Sequence, residues 1–302
     1  MTNAQALSRN LALRILVVGY PGTAKTGSLA SLLNAGFKIR MLDMDGNVDP
    51  LLQYATPEGL SRLDVAYFED RMRSGSSFME PVGIPTAFAN ALKQLDDWKT
   101  QDADGKEISL GSSRDWGPDT IVVLDSLTKL GDAAFRRAMK LLNKTPMNVT
   151  DRVWGLAMQE QSAFIEALTS ANNKHHVIVL SHLKMIGPKD KRGGDSDIAT
   201  TIKEQIADIL PTRLYPSALG WQLPQQIGGE FPILIEAERV TKGGTTTRTL
   251  NLAPKTLIDV KFPGAMGASA LPTRLDISDG MLRVFKALSP GSVDLVATKE
   301  ND

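Results

Sequence analysis

The sequence predicts a three-layer α/β domain with a mainly parallel sheet, extended by antiparallel strands toward the C-terminus. Continuous apolar runs bounded by turn residues recur at 14–18, 38–42, 64–68, 120–124 and 176–180, the pattern of strands buried on both faces of a parallel sheet. Segments of helical periodicity at 25–35, 84–98, 127–142 and 151–171 lie between or beside them. Strands alternating with helices build such an architecture.

Bulk composition bounds the rest. A chain of 302 residues can bury a sizeable core in one large domain. With 42% hydrophobic and 23% charged residues it lacks the signature of disorder. No apolar run reaches the ~18 residues of a membrane span, so no membrane partner is expected. The absence of cysteine rules out disulfides, thiolate zinc sites and a cysteine nucleophile. Together with an N-terminus lacking the apolar core of a signal peptide, it fits a cytoplasmic protein. Thirty-four basic and thirty-four acidic residues give a formal net charge of zero. Any contact with DNA must therefore come from a local patch.

Taken in order, residues 1–10 read as a flexible polar lead-in, 11–290 as a single domain and 291–302 as a frayed tail. No internal repeat is visible. The first run, "RILVV", leads into "GYPGTAKT", and its small residues, lysine and threonine match the phosphate loop G-x-x-x-x-G-K-[ST], except that Ala24 replaces the second glycine. Such a loop needs a buried strand to deliver the chain, successive backbone N–H groups to face phosphates, and a lysine and hydroxyl at the helix start. The nucleotide-binding stretch is thus Gly19, Tyr20, Pro21, Gly22, Thr23, Ala24, Lys25, Thr26 and Gly27. Lys25 would reach the β- and γ-phosphates of ATP and Thr26 would ligate Mg²⁺. The plain alternative is a strand-turn-helix connection carrying an ordinary exposed lysine.

The run at 120–124 ends in Asp125, at the carboxyl edge where open α/β sheets place ligands. An aspartate there can hold Mg²⁺, or it can simply cap the helix beginning near Leu127. Residues 99–119 and 183–197 read as long loops, a class often functional. After 211, "FPILIEAERV", "TKGG" and "TTTRTLNLA" read as a β-hairpin.

Two further stretches go beyond a generic phosphate-loop protein. "IRMLDMDGNVDP", residues 39–50, and "HHVIVLSHLKMIG", from 175, fall in the order and spacing found in RecA-like ATPases. Over residues 14–215 the chain resembles that superfamily, and its minimal form is similar to bacteriophage-encoded members that act in single-strand annealing and recombination. The resemblance implies a RecA-like P-loop NTPase core that hydrolyses ATP with Mg²⁺. Asp45, where the family usually has glutamate, would activate the attacking water. His182 would sense the γ-phosphate and pass the signal to the loop after it, whose Lys184, Lys189, Lys191 and Arg192 would contact single-stranded DNA. This basic patch contains no obvious stacking aromatic. ATP would lie between subunits of a homo-oligomer, with Arg239, Lys242 or Arg248 as a finger reaching the neighbouring site. Alternatives remain at each point: Asp43 and Asp45 as turn residues before Gly46, and the hairpin cations as solvated charges. The protein as a whole could instead be a nucleotide-gated binding module with little hydrolysis, or a protein-assembly ATPase.

Overall fold

The computed structural model describes residues 12–75, 78–102, 104–186, 213–255, 257–263 and 271–299. Eight strands form the main sheet: β1 Arg14–Val18, β2 Lys38–Asp43, β3 Leu63–Tyr67, β4 Thr120–Asp125, β5 His176–Ser181, β6 Ile233–Lys242, β7 Thr245–Asn251 and β8 Arg274–Asp276. Their order across the sheet is β8-β7-β6-β1-β5-β4-β2-β3. The six from β6 to β3 run parallel, and β7 and β8 continue the edge antiparallel. This is the mainly parallel sheet with an antiparallel extension that the sequence predicts.

Helices cover both faces. A 3₁₀ turn, Gly27–Leu29, opens α1, Ala30–Asn34; then come α2 Asp49–Tyr54, α3 Pro57–Leu60, α4 Ala87–Asp96, α5 Leu127–Leu141, α6 Asp151–Thr169, α7 Leu223–Ile227, α8 Gly280–Leu288 and α9 Pro290–Lys299. Alternate residues of each strand point to opposite faces. Leu16, Val18, Val122 and Leu124 accordingly pack with α4, α5 and α6, while Ile15, Val17, Ile121 and Val123 pack with α1 and α8. Both sides of the central strands are apolar because both are covered.

Several expectations need correction. The first helix is shorter than the periodicity over 25–35 implies. It is tightened at its start, where the Tyr54 ring lies 2.9 Å from the point a Cβ on Gly27 would occupy. The expected loop at 99–119 contains a ribbon, Lys99–Gln101 against Glu107–Ser109. It turns through Gly105 at φ 77° and is anchored by buried Trp98 edge-on to Trp116, 5.6 Å between centroids. Residues after 211 are not wholly antiparallel, because Ile233–Glu236 completes the parallel set beside β1. Of the tail expected to fray from 291, residues through Lys299 belong to α9, which buries Ser292 and Val296 and sets Lys299 Nζ 2.8 Å from Asp119 Oδ2, while 300–302 lie outside the described residues. The lead-in at 1–10 lies outside the described residues.

Phe37 ties the sheet to the helices above it. Its ring is fully buried and meets the Phe285 and His176 rings edge-on, at 5.2 and 6.0 Å. Phe37→Ala should cost about 3–5 kcal/mol, the range for removing a buried aromatic. Urea denaturation checks it: a loss under 1 kcal/mol would mean that α8 is not held through this ring.

Candidate nucleotide site

The site forms at the carboxyl edge of β1, β5, β4 and β2. The loop after β1 turns back on itself. Gly19 N donates to Ser181 O at 3.2 Å, and the Thr23 hydroxyl donates to Tyr20 O at 2.9 Å. A side chain at Gly19 would meet Ala237 O at 2.5 Å, so only glycine passes there. Gly22 has φ 78° and Ala24 φ 62°, both in the left-handed region. Ala24 thus stands where the motif's second glycine would be unstrained, and its methyl costs roughly 1–2 kcal/mol in that conformation.

Lys25 is only 8% exposed. Its ammonium donates to Gly19 O at 2.9 Å and Tyr20 O at 3.2 Å and lies 3.5 Å from His182 Nδ1. Burial lowers its pKa, against the attraction of Asp125 and Asp45. The Thr26 hydroxyl donates to Asp125 Oδ2 at 2.7 Å, bringing the two proposed metal ligands together across 99 residues of sequence. Asp125 ends its strand and Ser126 caps α5 by accepting from Lys129 N, so the capping alternative falls to the next residue.

Asp43 and Asp45 divide the two readings of their segment. Buried Asp43 Oδ1 accepts from Asp45 N at 3.0 Å and Gly46 N at 2.8 Å, which makes it the turn residue. Asp45 is thereby turned into the site, where its Oδ1 accepts from the Ser126 hydroxyl at 3.2 Å and its Oδ2 lies 3.9 Å from His182 Nε2. His182 N donates to the Thr128 hydroxyl at 3.3 Å. His175 and His176 are buried instead among Phe37, Trp116 and Phe285, and burial lowers both to pKa values of about 4.

Ser126 and Thr128 escaped sequence reasoning. Their signal was adjacency to Asp125 at a helix start. Of the loop cations, Lys184 is exposed on the strand Leu183–Ile186, and its ammonium donates to Gly220 O at 3.1 Å. Lys189, Lys191 and Arg192 lie outside the described residues. In the hairpin, Arg248 Nε donates to Gly22 O of the chain's own loop at 3.2 Å, and Arg239 Nη1 lies 2.9 Å from the position of a Gly22 Cβ. Lys242 stands exposed at the far end, opposite Thr245.

The donor set suits Mg²⁺. A hydroxyl and a carboxylate are hard oxygen ligands, and Mg²⁺ is commonly held by one or two such groups together with substrate phosphates. Among the described residues no group of three or more His, Asp or Glu could hold a metal alone. No described helix is long and apolar enough to cross a membrane.

Burial, reinforced by Asp45 and Asp43 and opposed by the Thr26 hydroxyl and Lys25, pushes Asp125 up to about 7. Between the ordinary aspartate value and about 7, the native chain without ligand binds more protons than the unfolded chain. This contribution is therefore largest at low pH and is lost as pH rises through 7. In a chelator, Asp125→Asn should flatten the decline in thermal midpoint between pH 5 and 8 and raise the midpoint at pH 8. An unchanged slope in the variant would show that the carboxyl is ionised throughout.

Against known proteins, a search of the curated proteins finds no match. Among solved structures, the flagellar accessory protein FlaH from Methanocaldococcus jannaschii is 11% identical over 87% of this chain and 97% of its own, with a TM-score of 0.32. A prototypical ATPase from the type III secretion system of pathogenic bacteria is 15% identical over 78% of this chain and 55% of its own, with a TM-score of 0.36. At these scores neither adds to what the sheet order establishes. The profile of the AAA domain matches residues 11–261, taking in every strand from β1 to β7 and the whole phosphate loop. The chain belongs to the AAA domain family.

Proposed function

We propose that the protein is a Mg²⁺-dependent ATPase whose nucleotide state governs its hold on single-stranded DNA. One observation carries the ATPase reading: Lys25, the Thr26–Asp125 pair, Asp45 and His182 converge from four separate strand ends. Lys25 would exchange its two carbonyl partners for β- and γ-phosphate oxygens. Asp45, held by the Ser126 hydroxyl, would orient water and accept its proton. His182 would contact the γ-phosphate from beside Lys25. Bound Mg²⁺ would supply charge neutralisation at the phosphates, with Thr26 and Asp125 as its protein ligands. Positioning and charge stabilisation then account for catalysis without a covalent intermediate.

Two features support DNA as the target. The strand carrying Lys184 starts one residue after His182, so a contact at the γ-phosphate has a short covalent route to it. A cavity of about 830 Å³, lined by Trp154, Trp221, Met185, Lys184 and Thr128, opens beside it. Exposed tryptophan next to lysine supplies the stacking surface that single strands use. The resemblance to bacteriophage annealing proteins is consistent with this role and rests on sequence alone. The zero net charge favours the second reading, an assembly or remodelling ATPase acting on protein. Mobility shifts with single-stranded oligonucleotides, with and without a non-hydrolysable ATP analogue, separate the two. A nucleotide-dependent shift is expected, and none at low salt would leave the assembly reading.

Lys25→Ala should abolish ATP binding by calorimetry while the far-ultraviolet circular dichroism is unchanged; parental affinity would remove the phosphate-loop assignment. Asp45→Asn should keep ATP affinity within about threefold and lower kcat by ~10²-fold or more, the range for losing a general base. Turnover at the parental rate would place water activation elsewhere.

A further inference from the structure

The hairpin arginines were expected to serve a neighbouring subunit, but within this chain they lie against its own phosphate loop. Arg239 on β6 and Arg248 on β7 are direct cross-strand partners. Both continue the face that Ala237 and Leu250 bury, and they emerge where the sheet ends beside Gly22. Arg248 Nε donates to Gly22 O, and the Arg239 guanidinium fills the space that a side chain at Gly22 would need.

Their charges are uncompensated among the described residues. The acidic residues of β6, Glu236 and Glu238, point to the opposite face and are engaged by Lys255 and Arg274. Neither Arg239 nor Arg248 forms an ion pair with a described carboxylate. Two like charges directly opposite one another destabilise a strand pair. Two guanidiniums converging on the rim of a phosphate loop are a fitting arrangement for an anion with several oxygens.

Sheet order decides which part of the anion they meet. β1 is flanked by β5 on one side and by β6 on the other. Lys25 leans toward His182 after β5, and Asp45 and Asp125 lie on that same side. The terminal phosphate belongs there. The arginines stand on the other flank, where a phosphate chain running from Lys25 away from His182 would pass them.

We propose that Arg239 and Arg248 form a cis clamp on the inner phosphates of the bound nucleotide, holding nucleoside di- and triphosphates alike. The proposal rests on the nucleotide-site reading above. It differs from a trans-acting finger in its signature. A finger acts on the γ-phosphate during turnover, whereas a clamp on the inner phosphates adds equally to ATP and ADP affinity. Without nucleotide the clamp is a liability, since the pair then repels with nothing between them.

The test is calorimetry of ADP and of a non-hydrolysable ATP analogue, each with Mg²⁺, on the parent and on the double variant Arg239→Gln/Arg248→Gln. Both ligands should weaken by a similar factor of ~10 or more, as expected for loss of charge-assisted contacts to phosphate. The thermal midpoint of the nucleotide-free double variant should equal or exceed that of the parent. Parental ADP affinity in the double variant, or weakening confined to the ATP analogue, would overturn the clamp. So would a clear drop in the nucleotide-free midpoint, which would make the arginines struts for the loop. A parent that binds neither ligand overturns the nucleotide site itself, and the clamp with it; a parent that binds both while the double variant binds equally well sinks the clamp alone.

Discussion

The site hangs from one short strand held on both sides. β1 is five residues long, and it pairs in parallel with β5 on one side and β6 on the other, with all but its first residue buried. Strands paired on both edges and covered on both faces have few ways to shift. A one-residue slip would exchange the apolar sets of the two faces. The carboxyl end of β1 is therefore a fixed point, and the loop after it inherits that position through the Gly19 N to Ser181 O bond. β5 separates β1 from β4 and brings His182 between the lysine of the loop and the carboxylates beyond. The spacing of the chemistry is set by strand order before any side chain in the site makes a contact.

Much of this could be read in the sequence, for a physical reason. Strands buried on both faces leave continuous apolar runs, so five of the six parallel strands were expected within a residue or so of their ends. The sixth, β6, was hidden. Its first half is parallel and fully buried, while its second half is exposed and antiparallel, and the hairpin pattern "TKGG" dominated the reading. The phosphate loop was legible because its backbone needs restrict its residues. Ser126 and Thr128 were not, since a hydroxyl that contacts Asp45 or the His182 backbone has the same local sequence as a helix cap. The cis placement of Arg239 and Arg248 was beyond reach because it depends on β6 lying beside β1, a contact between segments more than 200 positions apart.

Electrostatics bind the site together at a cost. Lys25 is buried and its charge is disfavoured there, while Asp125 is buried deeply enough to hold a proton near neutrality. Each is the other's remedy in part, since the attraction of Lys25 opposes the rise at Asp125 and the attraction of Asp125 opposes the fall at Lys25. Neither compensation is complete, because burial is the larger effect at both groups, and a third charge, Asp45, attracts Lys25 while repelling Asp125. A divalent cation between Asp125 and a chain of phosphates would satisfy both ends at once. On the proposed reading, the same groups that make the ligand-free site unfavourable would favour a metal-bound polyanion.

Strain in the backbone points the same way. Ala24 adopts a φ that glycine would take freely. Such a conformation persists only where its surroundings over-determine it. Here the surroundings are identifiable: Ser28 N reaches back to Ala24 O at 3.0 Å, and the Lys25 side chain is folded onto Gly19 and Tyr20. On the opposite rim Arg248 Nε donates to Gly22 O. Lys25 and Arg248, each bonded to a loop carbonyl, could find a better partner in a phosphate oxygen. A nucleotide entering it would replace carbonyl contacts with anionic ones and leave the backbone curve intact. On the nucleotide-site reading the loop has its curve before a ligand arrives, and the methyl group of Ala24 is a fixed cost of that shape rather than an obstacle to binding.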